Sequence, residues 1–131
     1  MRKRLIVILA LAAVAAVACG GSGEEESLSR AEARGFFANI DSLLDQTVAE
    51  HDQGNTEEAA EFAGQAYLDN FEHLEPDLGE VDQELNEEIE GLLGPPFRQA
   101  IQGGMTQDEL EARVSEVRTL LEQARAALGV E

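Results

Sequence analysis

Apolar residues recur at spacings of three and four along most of the chain beyond residue 27, which is the spacing of amphipathic helices. The pattern predicts a first helix over residues 27–52 and a second that begins after Gly54 and Asn55. The second helix is expected to end at Pro76, because proline and the residue before it disfavour helical continuation. A third helix is expected over residues 77–93. On each of these three helices, and on a last helix near the end of the chain, one stripe of side chains is expected to face the core. In the order of the four helices, the expected inward positions are Phe36, Phe37, Ile40, Leu43, Leu44, Thr47 and Val48; Ala59, Phe62, Ala63, Ala66, Tyr67, Asn70, Phe71 and Leu74; Leu78, Val81, Leu85, Ile89 and Leu92; and Leu110, Val114, Val117, Leu120, Leu121, Ala124 and Leu128.

The third apolar segment is interrupted by Gly94-Pro95-Pro96. The stripe resumes at Phe97 and Ile101, so residues 77–103 form either one kinked helix or two. Gly103 and Gly104 then end this segment.

The last helix is expected over residues 106–128, because Thr106 and Glu109 have the spacing of a capping box. The sequence shows neither strand-like alternation nor a repeat of fixed period. Four amphipathic segments with short connections predict an all-α fold, an up-and-down bundle of about four helices. Thr47 and Asn70 are expected to form a polar pair inside it.

The amino-terminal residues have the character of a signal peptide. Arg2, Lys3 and Arg4 are followed by the apolar run from Leu5 to Val17. A transmembrane helix needs about 20 apolar residues, and this run is shorter. It therefore fits the apolar region of a cleaved signal peptide over residues 1–18.

The segment Ala16-Val17-Ala18-Cys19 resembles the lipobox of bacterial lipoproteins. The resemblance implies that the amine and thiol of Cys19 carry lipid, and two or more acyl chains anchor a protein stably to a membrane. Residues 19–27 then form a lipidated flexible tether, and residues 28–131 form the domain outside the cytoplasm. The alternative is an ordinary secreted protein that is cut before an incidental cysteine. Inner and outer membranes are both compatible with the sequence.

The predicted mature chain is strongly acidic. It holds all 27 Asp and Glu residues of the sequence and six of the nine basic residues, which gives a net charge of −21. Nucleic acid and anionic lipid surfaces need a basic footprint and are not expected as partners. Cations, cationic ligands and basic protein patches remain compatible, as does an acidic surface that only keeps the protein soluble.

Catalysis is not expected, so the chain is interpreted as a non-enzyme. Its one cysteine is Cys19, which the anchor consumes, and no serine lies near a histidine in a nucleophile pattern. Phosphate loops and zinc patterns are also missing from the sequence. Di-iron bundles use Glu-x-x-His motifs, but Val48 precedes His51 and Asn70 precedes His73 at that spacing.

A cluster of candidate metal ligands lies near the end of the second predicted helix. On a helical wheel Asp69, Glu72 and His73 are neighbours, Glu75 is three residues from Glu72, and Asp77 follows directly after Pro76. Carboxylates with one imidazole suit iron, manganese or, with more oxygen ligands, calcium. The alternative interpretation is a solvated charged face.

The same segment, residues 66–76, reads Ala-Tyr-Leu-Asp-Asn-Phe-Glu-His-Leu-Glu-Pro. With Leu85, Ile89-Glu90, Phe97-Arg98, Ile101 and Gly103 further along, it resembles the soluble helical domain that precedes the membrane part of bacterial high-affinity iron permeases. The resemblance extends over residues 40–128 and carries the family's Tyr-to-Glu motif over to Tyr67, Phe71, Glu72 and Glu75.

Two features depart from that family. The transmembrane helices with Arg-Glu-Gly-Leu-Glu motifs have no counterpart in the sequence, so the resemblance implies a detached, lipid-tethered version of the soluble domain. The Gly94-Pro95-Pro96 interruption also differs from the family's continuous helix.

Two functions follow as hypotheses. The first is an accessory to iron or other cation uptake, acting through weak carboxylate-rich binding or by docking to an iron permease. The second is a helical adaptor lipoprotein of the cell envelope with no metal role, whose partner contacts exposed apolar positions around residues 94–97.

Overall fold

Four helical rods enclose one core in the computed structural model, which describes residues 27–131. The predictions for the signal peptide, Cys19 and most of the tether lie outside these residues. Within them, no helix is both long and apolar enough to cross a membrane. The helices are α1 (Arg30–Asp52), α2 (Thr56–Ala66), a π turn (Tyr67–Phe71), α3 (Glu72–Val81), α4 (Gln83–Leu93), α5 (Pro95–Gln102) and α6 (Gln107–Leu128).

The prediction of an all-α bundle is confirmed. The second rod is α2, the π turn and α3 in succession, and the third rod is α4 with α5. α1 packs against α2 and α6, while α4 packs against α3 and α6, and α5 packs against α2. Each rod therefore contacts at least two others, and all four are needed to enclose the apolar interior.

The core contains most of the predicted inward positions, fully or nearly buried. Burial excludes water from these apolar side chains and supplies the main driving force for folding. The largest fully buried side chains come from every rod: Phe37, Ile40, Leu44, Phe71, Leu74, Leu78, Ile89, Leu93, Phe97, Ile101, Leu110 and Leu121.

The first and last helices begin where capping residues satisfy their free backbone N–H groups. Ser29 caps α1 and exchanges hydrogen bonds with Glu32, so the helix begins at Arg30, three residues later than predicted. Thr106 and Glu109 form the predicted capping box of α6. That helix ends at Gly129, whose φ of 64° is a left-handed conformation that favours glycine.

The prediction that Pro76 ends the second helix is wrong. α3 runs through Pro76 to Val81, and the break lies at Asp82, whose side chain accepts a hydrogen bond from the Leu85 N–H and caps α4. Leu78 lies one turn beyond Leu74, and both are fully buried. Their burial opposes the loss of one backbone hydrogen bond at proline.

Near the ends of α3 and α4, the buried positions also differ from the predicted core. Val81 is the last residue of α3 and is 59% exposed, although the pattern placed it in the core. Leu93 is buried at the end of α4, whereas Leu92 is half-buried.

Residues 77–103 form neither one kinked helix nor two, because they hold the end of α3, then α4, which ends at Leu93, and α5, which begins at Pro95. The Gly94 N–H still donates to the Glu90 carbonyl. A Cβ atom at Gly94 would lie 2.5 Å from that carbonyl oxygen, closer than real contacts allow. Pro95 then supplies a first helical residue that needs no N–H partner.

Thr47 and Asn70 are buried but do not pair with each other. The Thr47 hydroxyl donates to the Leu43 carbonyl one turn earlier. The Asn70 side-chain amide donates to the Gln65 carbonyl at 3.0 Å. Each polar group is therefore satisfied within its own rod.

Polar contacts join the first rod to the last. Arg118 pairs with Asp45 and Arg125 pairs with Asp41, and the Arg125 guanidinium also lies over the Phe37 ring. His51 contacts the Met105 carbonyl through Nε2 at 2.9 Å and the Gln107 side-chain oxygen through Nδ1 at 2.6 Å. His51 thus uses both ring nitrogens to hold the end of α1 against the start of α6.

The position of the helix break gives a prediction about stability. Pro76→Ala should raise the free energy of unfolding by roughly 1–3 kcal/mol, because it restores a helical N–H. Asp82→Ala should lower it by about 1 kcal/mol, because it removes the cap of α4. Urea unfolding followed by circular dichroism measures both. A lower free energy of unfolding for Pro76→Ala than for the wild type would contradict this prediction, because it would show that proline favours the folded chain at this position.

Candidate functional site

The residues between α2 and α3 form the one π-helical turn of the described chain. The Glu72 N–H bonds to the Tyr67 carbonyl five residues earlier, so this turn holds one more residue than an α-helical turn. Tyr67, Asn70 and Phe71 face the core, whereas Leu68 is turned outward and is 47% exposed. Such turns occur frequently at functional sites.

An apolar groove lies beside the π turn, between α2 and α5. Its volume is about 290 Å³. We call it the Gly64–Gly94 groove. Its lining residues are Gly64, Tyr67, Leu68, Gly94, Pro95, Arg98, Gln99 and Gln102.

Two glycines create the depth of this groove. A Cβ at Gly64 would lie 3.4 Å from Cδ of Arg98, and a Cβ at Gly94 would lie 3.6 Å from the Tyr67 ring. Arg98 therefore lines the groove partly with its aliphatic stem, as long basic side chains often do. The floor is apolar even though one lining residue is charged.

Tyr67 connects the groove to a group of carboxylates. Its hydroxyl donates to Glu75 Oε1 at 3.1 Å. Burial raises the pKa of Tyr67, and the negative charges of Glu75, Glu90 and Glu72 raise it further. The tyrosine is therefore a neutral hydrogen-bond donor, and one end of the groove is acidic.

Glu75, a member of the predicted metal cluster, has a raised pKa. Burial raises the pKa of Glu75, the hydrogen bond from Tyr67 opposes that rise, and the charges of Glu90 and Glu72 add to it. Partial burial and like charge both disfavour the ionised form.

The five predicted metal ligands have different surroundings. Asp77 Oδ2 accepts the Leu28 backbone N–H at 2.7 Å and so fixes the chain just before α1. The His73 ring stacks on Phe36 with centroids 4.8 Å apart. Glu75 accepts from Tyr67, while Asp69 and Glu72 are exposed.

Glu75 therefore bonds to Tyr67, and the charges of Glu72 and of Glu90, which the sequence analysis did not select, help to raise the pKa of that tyrosine. Over residues 27–131, no three His, Cys, Asp or Glu side chains are grouped closely enough to hold a metal ion. Metal binding through Asp69, Glu72, His73, Glu75 and Asp77 stays a prediction.

A second, wider cleft of about 580 Å³ lies between α1 and α6. Its lining includes Asp45, Asp52, Glu111 and Glu122, and Arg118 crosses it to pair with Asp45. Charged, hydrated walls give less free energy on burial than apolar walls do. The smaller Gly64–Gly94 groove is therefore the stronger candidate for binding.

The raised pKa of Glu75 predicts a pH dependence with a definite sign. The folded state binds the Glu75 proton more tightly than the unfolded state, so this carboxyl group destabilises the fold once the pH rises through its folded pKa. Glu75→Gln should therefore gain more stability relative to the wild type at pH 7 than at pH 4. Unfolding free energies at the two pH values measure this difference. An equal difference at both would contradict the assigned pKa shift.

The chain has no match among protein-family models, curated proteins or solved structures. The resemblances to bacterial lipoproteins and to the soluble domain of iron permeases therefore stay predictions.

Proposed function

We propose that this protein is a lipid-anchored adaptor of the cell envelope, which binds a protein partner through the Gly64–Gly94 groove. The observation that carries the proposal is an apolar groove with an exposed leucine on the surface of a strongly acidic domain. Interfaces commonly consist of a small apolar centre surrounded by polar residues.

Leu68 supports a binding role for this surface. Only two large apolar side chains are exposed in the described chain, Leu68 and Val81. Val81 is explained by its position at the end of α3. Leu68 lies in the middle of a rod, where its outward side chain borders the groove and adds apolar surface to it. Covering its exposed half contributes about 1 kcal/mol, since full burial of a leucine is worth about 1.5–3 kcal/mol.

The position of the groove also suits a tethered adaptor. The described chain enters the domain at Leu28, which Asp77 holds near the far end of the second rod. Gly64 lies thirteen residues before Asp77 along that rod, or about 20 Å at 1.5 Å per residue. If Cys19 carries the lipid, the groove lies well away from the point where the tether joins the domain.

A role in iron or other cation uptake is the second candidate. The observation in its favour is that Glu75 is partly buried beside Tyr67, where burial and then the charges of Glu90 and Glu72 raise its pKa. A cation bound among these groups would relieve their repulsion. Docking to an iron permease would combine both candidates, because the adaptor's partner would then be the transporter.

The adaptor function predicts a contact at residue 68 in living cells. A photo-crosslinking amino acid at position 68 should give one discrete adduct with a protein, because a partner covers the groove. The same amino acid at position 81 is the matched control, since Val81 is equally apolar and more exposed. Crosslinking in the native host, followed by mass spectrometry, provides the measurement. Identical adduct patterns at the two positions would contradict the proposal.

Metal titration separates the two candidates. The adaptor account predicts that residues 24–131 bind iron(II), iron(III), manganese and calcium weakly and without selectivity at ~0.15 M salt, where surface charges are screened. Combined Glu72→Gln, Glu75→Gln and Glu90→Gln substitutions should change that binding little. Saturable binding of about one ion, lost in this variant while helicity persists, would favour the cation function instead. Isothermal titration calorimetry measures both outcomes.

A further inference from the structure

We propose that the partner presents a cationic amphipathic helix, which places one large apolar side chain in the Gly64–Gly94 groove and basic side chains against its acidic rim. This inference rests on the proposed adaptor function and specifies the chemistry of the partner. It is carried by the size of the groove, the carboxylates beside it and the charge of the whole domain.

The size of the groove limits what it can hold. Its volume of about 290 Å³ lies at the lower end of the range of ligand pockets, which is about 300–1,000 Å³. A single anchoring side chain fits this space better than an extended ligand. Leu68 at the edge then packs against the next apolar residue of the same face, which a helix supplies at a spacing of three or four.

Carboxylates lie beside this apolar centre, at the end formed by Tyr67. Glu72 and Glu90 act electrostatically on Tyr67, which lines the groove, and Glu75 is bonded to its hydroxyl. Glu61 is exposed on α2, three residues before Gly64. A partner with Lys or Arg beside its apolar anchor would place opposite charges next to these groups.

Charge also decides against two other occupants. A second copy of this chain would bring two domains of net charge −21 together, each with the same acidic rim. An anionic lipid surface would be repelled for the same reason. Arg98 is the one basic residue that lines the groove, and its stem lies against Gly64.

Two synthetic peptides test this inference on residues 24–131, which include the entire described core. Both carry the same leucine stripe at helical spacing, but one has lysines on its polar face and the other has glutamates. Binding is measured by fluorescence anisotropy, and the site is located by NMR shifts of backbone amides. Leu68→Asn tests the apolar contact, with Val81→Asn as its matched control.

The lysine peptide should bind and shift the amides of Gly64, Leu68 and Gly94. Leu68→Asn should weaken it about tenfold, which corresponds to about 1.4 kcal/mol, while Val81→Asn should leave it unchanged. Combined Glu72→Gln and Glu90→Gln substitutions should weaken binding more than combined Glu116→Gln and Glu122→Gln substitutions on α6, although both pairs change the net charge equally.

Three results would overturn the inference. If the glutamate peptide shifts the same amides with equal or higher affinity, the groove binds helices but the partner is not cationic, and the adaptor function stands. If neither peptide binds, a cationic amphipathic helix is not the occupant. The lysine peptide could also bind the Leu68→Asn variant as tightly as the wild type and shift amides over all acidic faces. The attraction would then be nonspecific, and both the adaptor function and the cationic helix would lose the groove as their binding site.

Discussion

Burial of one apolar stripe along the rod from Thr56 to Val81 is the constraint on which the rest of the structure depends. This rod contacts all three others, and its side chains Phe71, Leu74 and Leu78 are fully buried. In the π turn Tyr67, Asn70 and Phe71 face inward together, whereas Leu68 faces outward. The surface feature that we assign to binding is thus a consequence of core packing.

The sequence predicted the helices correctly where local signals and the apolar stripe agree. Thr106 and Gly129 mark helix ends by the chemistry of their own side chain or backbone, and these ends need no tertiary information. Ser29 carries the same capping signal, but the prediction began the first helix at residue 27. Pro76 misled the prediction because its local preference is outweighed by the burial of Leu78, two residues later. A helical wheel also assumes a constant period, so it could not show that a π turn lies under the predicted metal cluster.

Charged and apolar side chains have separate roles in this domain. The few arginines mainly support packing: Arg118 and Arg125 join α6 to α1, and Arg113 lies over Phe97. The excess of carboxylates remains on the surface, where it favours solubility and repels nucleic acid and anionic lipid. Against this background an apolar groove provides the contrast in polarity that a partner can recognise. An apolar leucine in the sequence outside the inward stripe, Leu68, was the one signal that could have located it.

The accessibility of residue 68 inside the intact envelope tests the central claim most directly. Leu68→Cys and Val81→Cys variants can be labelled with a membrane-permeant maleimide, first in cells and then after purification in detergent. A partner seated in the groove predicts that position 68 is protected in cells and reactive once purified, whereas position 81 reacts under both conditions. Equal reactivity of position 68 in cells and in the purified protein would contradict the account.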